Sequence, residues 1–238
     1  MIGSFFLGAI LLNVYAVALI LARGWMFRTP LYRPMLWNVW LSVLPILVMG
    51  AGMLVSALLM LVAPLLAIAS TFAFGLVWLL LLPNASYLIT ELNFSHRRED
   101  DPVPLWFDII LVISLAMSGV FNTVLNVLIA HFMYSTTRYG DEAAALVRPD
   151  AMWFVGLVLL LLGFGMYLGR YLRLNSWDIR SPKRLFDKIW GHFRVPENLR
   201  AGIGFTITYA LFLGIVYVMT AGTVVIGLTL VEQARLAG

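Results

Sequence analysis

Residues 37–82 read WNVWLSVLPILVMGAGMLVSALLMLVAPLLAIASTFAFGLVWLLLL, and they contain no Asp, Glu, Lys or Arg. A helix needs about 20 apolar residues to cross the hydrocarbon core of a bilayer, so this stretch is long enough for two crossings. Its one break is Ala63-Pro64, because proline lacks a backbone N–H and disfavours helix in the residue before it. The stretch therefore predicts two transmembrane helices joined by a tight hairpin without charge in its turn.

The whole chain shares this apolar character. Of its 238 residues, 62% are hydrophobic and 12% are charged, and the mean hydropathy is +0.93. Soluble domains have about 45–50% apolar and about 25% charged residues, so a water-soluble globule is excluded. We predict an all-α, polytopic transmembrane helical bundle that forms a single integral membrane domain over residues 1–238. Its six spans lie at about 4–22, 37–61, 65–82, 107–130, 151–170 and 202–229.

The distribution of basic residues predicts the orientation. The connections after spans one, three and five hold thirteen of the sixteen Lys and Arg residues, and the other side holds Arg138, Arg148 and Arg235. The positive-inside rule places the first group in the cytoplasm and both termini outside. No Lys or Arg precedes the first apolar stretch, so this stretch is predicted to be an uncleaved span rather than a signal peptide.

Residues 182–193 predict a helix that lies on the membrane surface. Ser181-Pro182 is a favourable start, with serine as the N-cap and proline at the first helical position. Apolar and charged residues then alternate between two sides of the helix: Leu185, Phe186, Ile189, Trp190 and Phe193 on one, Lys183, Arg184, Asp187 and Lys188 on the other. This pattern indicates an interfacial amphipathic helix on an anionic cytoplasmic leaflet. A docking face for another protein is the alternative.

Composition also limits the chemistry. The chain has no cysteine, which excludes disulfides, thiolate catalysis and cysteine-based metal sites. It has no HExxH, Walker or Rossmann motif, and we predict no cofactor and no metal site. The net charge of +4 and pI of about 9.6 come from basic residues that flank apolar spans. The predicted partners are therefore the bilayer and its anionic cytoplasmic lipids, not nucleic acid, and a second copy or a membrane partner is left open.

Polar residues gather at four points that the predicted topology places on the cytoplasmic side. Two of these points lie at the start of spans two and four, and two lie at the end of spans three and five. The candidate ligand-binding residues are Asn38, Asn84, Tyr87, Glu91, Asp108, Arg170, Arg173, Asn175, Trp177 and Asp178. Pro83 is expected to end or kink span three at Leu82. If it starts a new helical turn, Asn84, Tyr87 and Glu91 fall on one face. Ionisable groups in a membrane protein are costly unless paired, and they suggest a functional vestibule.

Structural explanations of the same residues remain open. Asp108 is suited to cap a helix N-terminus, and Arg170 and Arg173 are suited to snorkel towards headgroups. Glu91 paired with an arginine would lock loops together. Within the spans, Asn122 and Asn126 are expected to form interhelical hydrogen bonds, and His131 is expected at the membrane interface.

The same residues carry a family resemblance. The runs Leu82–Glu91, Pro104–Asp108 and Tyr167–Asp178, with Trp37-Asn38 before them, resemble the bacterial family called domain of unknown function 1361 over about residues 36–185. Ser86 stands where the family has proline, and Glu91 where it has aspartate. The resemblance implies a multi-pass protein of the bacterial inner membrane. It does not indicate which activity the protein has.

Three classes of function remain, and whether the protein is an enzyme stays open. The first is binding or transport of an anionic small molecule or lipid headgroup, with Arg170 and Arg173 holding the anion and Asn84 and Asn175 orienting it. The second is a structural or accessory subunit of a membrane complex. The third is a divalent-metal-dependent intramembrane enzyme acting on a phosphorylated lipid, in which carboxylates hold Mg²⁺; these would be Glu91, Asp108 and Asp178. We rank binding or transport first.

Overall fold

The computed structural model of the protein describes residues 2–89, 102–140, 142–172 and 181–237. These residues form seven α-helices and short 3-10 helices at 87–89 and at Ala143–Val147. The α-helices are α1 (Ile2–Phe27), α2 (Arg33–Met60), α3 (Pro64–Ser86), α4 (Leu105–Tyr139), α5 (Pro149–Tyr171), α6 (Pro182–Phe193) and α7 (Pro196–Ala237).

The predicted fold class is confirmed. Six of these helices, all except α6, are long and apolar enough to cross a membrane, and each contains one predicted span. No strand occurs in the described part of the chain. Helix α6 has the predicted bounds of the amphipathic surface helix. The structure is therefore an all-α, polytopic bundle with one additional amphipathic helix.

The hairpin of α2 and α3 is confirmed, but the expectation that span three ends at Leu82 is wrong. Helix α2 ends at Met60 and α3 begins at Pro64, as the Ala63-Pro64 signal predicts. Helix α3 then continues through Pro83 to Ser86. A proline inside a helix removes one backbone hydrogen bond. Unwinding the chain in an apolar environment would instead leave several backbone groups without hydrogen bonds. The helical path is therefore favoured.

Helix α7 is one unbroken helix of 42 residues. At 1.5 Å per residue it is about 60 Å long, twice the hydrocarbon thickness of about 30 Å. The last span is therefore a single helix that extends beyond the hydrocarbon core.

Contacts within the chain define two compact units, Met1–Asn126 and Val127–Gly238. The first holds α1 to α3 and the first part of α4. The second holds the rest of α4, the 3-10 helix at Ala143–Val147 and α5 to α7. A single integral membrane domain over residues 1–238 remains a prediction.

Candidate functional site

Asp108 in the first unit forms a buried ion pair with Arg23. Asp108 lies in the first turn of α4, and Arg23 Nε donates a hydrogen bond of 2.9 Å to Asp108 Oδ1. The side chains are 0% and 8% exposed, respectively. Arg23 also donates to Thr29 Oγ1 at 3.2 Å. The ion pair joins α1 to α4.

Sequence reasoning treated Arg23 only as a topology signal, and so missed it as the partner of Asp108. The neighbours of the pair along the chain, Ile20, Phe107 and Leu111, belong to a buried apolar cluster. Because each charge balances the other in this apolar setting, the pair leaves no excess positive charge for an anionic ligand. A signal was present in the sequence: an arginine at the end of an apolar span requires a counterion if the helix continues past it.

The other predicted site residues of the first unit are only half-buried. Asn38 lies in the first turns of α2, and Asn84 lies near the end of α3. Tyr87 follows α3, and its backbone N–H donates to the Asn84 carbonyl. In the second unit, Arg170 lies near the end of α5 and is exposed. Glu91, Arg173, Asn175, Trp177 and Asp178 lie outside the described residues, so the shared vestibule remains a prediction.

A hydrogen-bond network centred on Asn122 links all four helices of the first unit. The Asn13 amide donates to Asn122 Oδ1 at 2.8 Å, and the Asn122 amide donates back at 3.0 Å. Asn122 also donates to Ser42 Oγ at 2.9 Å. The Ser42 hydroxyl donates to the Ala85 carbonyl at 2.8 Å. One asparagine on α4 is thus connected to α1 and α2 directly, and to α3 through Ser42.

Asn126 extends this network by one turn of α4. The Trp78 indole donates to Asn126 Oδ1 at 2.9 Å, and the Asn126 amide donates to the Asn122 carbonyl at 2.8 Å. Both asparagines are buried. The expectation that they form interhelical hydrogen bonds is confirmed, and their polar atoms are used in helix packing.

In the second unit, α6 is held against α5 and α7 by an aromatic and polar contact. The Tyr167 hydroxyl donates to the Asn198 carbonyl at 3.0 Å and lies 2.9 Å from His192 Nε2. The Phe193 ring stacks on Tyr167 with centroids 5.8 Å apart. A Cβ on Gly202 would lie 2.7 Å from Phe193 Cε1, so only glycine leaves room for this ring. Side-chain packing therefore places α6 at the end of the unit.

Outside this contact, α6 exposes both aromatic rings and cations. Phe186 and Trp190 are 62% and 55% exposed, and their rings stack at 5.9 Å. Lys183 and Arg184 are exposed on the same helix. The Arg194 guanidinium lies 5.7 Å from the centre of the Trp190 ring. Aromatic rings and cations on one amphipathic helix are typical of a membrane interface.

An apolar groove of about 500 Å³, the α6 groove, lies between α5, α6 and α7. Its lining includes Leu160, Leu161, Phe164, Ile189, Trp190 and Ile203. A second apolar groove of about 570 Å³ continues between α5 and α7, and both are lined by Leu160 and Ile207. Helices α5 and α7 touch where a Cβ on Gly163 would lie 2.8 Å from the Thr206 carbonyl oxygen. Thr206 also lines the α6 groove.

Polar contacts that sequence reasoning missed also occur elsewhere in the second unit. His131 is fully buried, and its Nδ1 lies 2.7 Å from the Tyr217 hydroxyl. His131 is therefore packed inside the second unit with a partner on α7, and its position at the membrane interface remains a prediction. Asp150 accepts hydrogen bonds from Tyr134 at 3.0 Å and from Tyr139 at 2.5 Å. These pairs join residues distant in sequence or across a turn, and no local motif marks them.

Six membrane-length helices with an additional amphipathic helix define a multi-pass membrane protein. The family model described as protein of unknown function (DUF1361) matches residues 37–219, and the chain belongs to this family. The resemblance drawn from the sequence motifs is confirmed. Neither the curated proteins nor the solved structures searched gave a match. The family description states no activity, so function must be argued from the site.

Proposed function

We propose that the protein binds an anionic lipid headgroup at the predicted cytoplasmic surface of its second unit. The observation that carries the proposal is the surface of α6, where Lys183 and Arg184 are exposed on the same helix as the Phe186–Trp190 ring stack. Lysine and arginine attract phosphate and other anionic groups, and aromatic rings anchor a helix at headgroup depth. The proposal keeps the binding function suggested by the sequence and makes α6 its main surface.

The number of exposed cations supports the second unit over the first. The described part of the first unit exposes Arg28 and Arg33, and its Arg23 is buried against Asp108. The second unit exposes Arg170, Arg194 and Arg200 in addition to the cations of α6. Arg170 lies three residues after Tyr167, which contacts α6. The exposed cations near α5, α6 and α7 therefore make a positive surface at this end of the second unit.

The metal-dependent enzyme has less support. Two of its three proposed carboxylates, Glu91 and Asp178, lie outside the described residues, and Asp108 is already paired with Arg23. Within the described ranges, no three His, Asp or Glu side chains are grouped so that they could hold a metal ion. The enzyme hypothesis thus depends on sequence alone.

Native mass spectrometry of the purified full chain tests the proposal. The protein is titrated with phosphatidylglycerol, which is anionic, and with phosphatidylcholine, which has no net charge. Each Lys or Arg near an anionic surface contributes about 1 kcal/mol. The double variant Lys183→Gln/Arg184→Gln should therefore lower the affinity for phosphatidylglycerol roughly 30-fold and leave phosphatidylcholine retention unchanged.

The matched control is Arg138→Gln, which removes an exposed cation near the end of α4 on the predicted outer side. It should retain phosphatidylglycerol as the wild type does. Equal retention of the two lipids by the wild type would refute the proposal. So would unchanged phosphatidylglycerol retention in the folded double variant.

A further inference from the structure

The α6 groove has three walls, which distinguishes it from an open helix face towards lipid. Leu160, Leu161 and Phe164 come from α5, and Ile189 and Trp190 come from α6. Helix α7 supplies the third wall, including Leu199, Ile203 and Ile207. The lining side chains are apolar, apart from the indole N–H of Trp190 and the hydroxyl of Thr206. A flexible hydrocarbon chain is the chemical class that such a groove fits.

The groove has the depth of one membrane leaflet. Its α7 wall runs from Leu199 to Ile207, a rise of about 12 Å at 1.5 Å per residue. Half of a hydrocarbon core of about 30 Å is about 15 Å. Trp190 of the surface helix α6 lines the groove, so the groove begins where the headgroup region would meet the acyl chains.

Charge complementarity selects the occupant. Trp190 both lines the groove and has the Arg194 guanidinium 5.7 Å from its ring centre. Lys183 and Arg184 are exposed on the same helix. A lipid with an anionic headgroup satisfies both features at once, because its headgroup binds cations while its chain contacts apolar walls. A soluble anion would leave the groove unused, and an apolar helix of a second copy would leave the cations unused.

We propose that the α6 groove holds an acyl chain of a glycerophospholipid whose anionic headgroup lies on α6. This inference rests on the proposed function and names its ligand as a lipid rather than a soluble anion. Helix α6 then has two roles, since its charged residues bind the headgroup and Ile189 and Trp190 form one wall for the chain.

The direct test uses phosphatidylglycerol with a photoreactive diazirine on one acyl chain, added to the full-length protein in detergent. After irradiation, labelled peptides are mapped by mass spectrometry. We expect labels on the groove segments of α5 and α7, around 160–164 and 199–207. They should disappear when excess unlabelled phosphatidylglycerol competes. Labels spread evenly over all the membrane-length helices would overturn the inference.

A groove-filling variant, Ile203→Trp, supplies a second readout. Ile203 is 52% exposed and lines the groove, whereas the control Ile226→Trp changes a residue of α7 that is 57% exposed and outside it. We expect Ile203→Trp to lower retention of phosphatidylglycerol roughly threefold. The expected loss is modest, because the chain exchanges one apolar environment for another and only packing contacts are lost. Leu161→Trp, which fills the groove from α5, serves if Ile203→Trp does not fold.

The outcomes separate the two proposals. If Lys183→Gln/Arg184→Gln loses the lipid but groove labelling is absent and Ile203→Trp binds normally, headgroup binding stands and the groove inference fails. If neither variant changes retention, the proposed function fails. If Ile203→Trp converts a dimer into a monomer without changing lipid retention, a second copy occupies the groove and the inference is overturned.

Discussion

Replacing Asp108 with leucine removes one charge of the buried pair that joins α1 to α4. The remaining Arg23 side chain is only 8% exposed, so its charge loses the Asp108 carboxylate without gaining full access to water. Breaking a buried ion pair in this way costs about 3–5 kcal/mol. For a chain of this length, the corresponding decrease in melting temperature is about 6–20 °C by the relation for soluble domains.

The double variant Arg23→Met/Asp108→Leu tests the cause. It removes both charges and replaces them with apolar side chains, which in buried positions is often neutral or stabilising. We therefore expect it to recover most of the stability that Asp108→Leu loses. Thermal unfolding and SDS titration of the purified protein measure both variants. Asp187→Asn, which changes an exposed acid on α6, is the control and should unfold like the wild type.

Two results would refute this reasoning. One is an Asp108→Leu variant that unfolds within about 1 °C of the wild type, since breaking a buried ion pair should lower the melting temperature by more than that. The other is a double variant less stable than Asp108→Leu, because the two residues would then contribute through something other than their mutual pairing.

The remaining predictions concern packing within each unit, and the same unfolding assay measures both. Asn122→Leu removes three side-chain hydrogen bonds. It should lower the free energy of unfolding by about 2 kcal/mol, at about 0.6 kcal/mol per bond. A decrease no larger than that of the exposed control Thr137→Ala would contradict the role of the network. Gly163→Ala places a Cβ 2.8 Å from a backbone carbonyl of α7 and should destabilise the second unit by about 1–3 kcal/mol. Gly156→Ala meets no atom within 4 Å and should be neutral or stabilising, so equal losses in the two glycine variants would exclude close packing as the cause.

Sequence reasoning succeeded where a property depends on neighbouring residues alone. The spans follow from runs of apolar residues, and α6 follows from its start signal and two-sided pattern. Sequence reasoning failed at Pro83, where the local preference of the residue before proline predicts that the helix ends at Leu82, but α3 continues. The preference measured in water does not hold where an unwound backbone has no solvent to bind.

The candidate site was only partly accessible to sequence reasoning. Asp108 was identified as a costly charge, but its partner Arg23 lies 85 positions away in the chain, and pairing across such a separation leaves no periodic signal. The bounds of α1 explain the error. The predicted span ended at about residue 22, whereas the helix continues to Phe27 and carries Arg23 within it.

The sequence alone determined that this is an all-α, multi-pass chain with six membrane-length helices and one amphipathic helix, because hydropathy and helical periodicity are local properties. The tertiary structure decided which polar groups form hydrogen bonds or ion pairs within the protein. It pairs Asp108 with Arg23, uses Asn122 to link helices, and leaves Lys183 and Arg184 of α6 exposed. These interactions depend on which side chains meet across helices, and only the packing of the helices brings those side chains together.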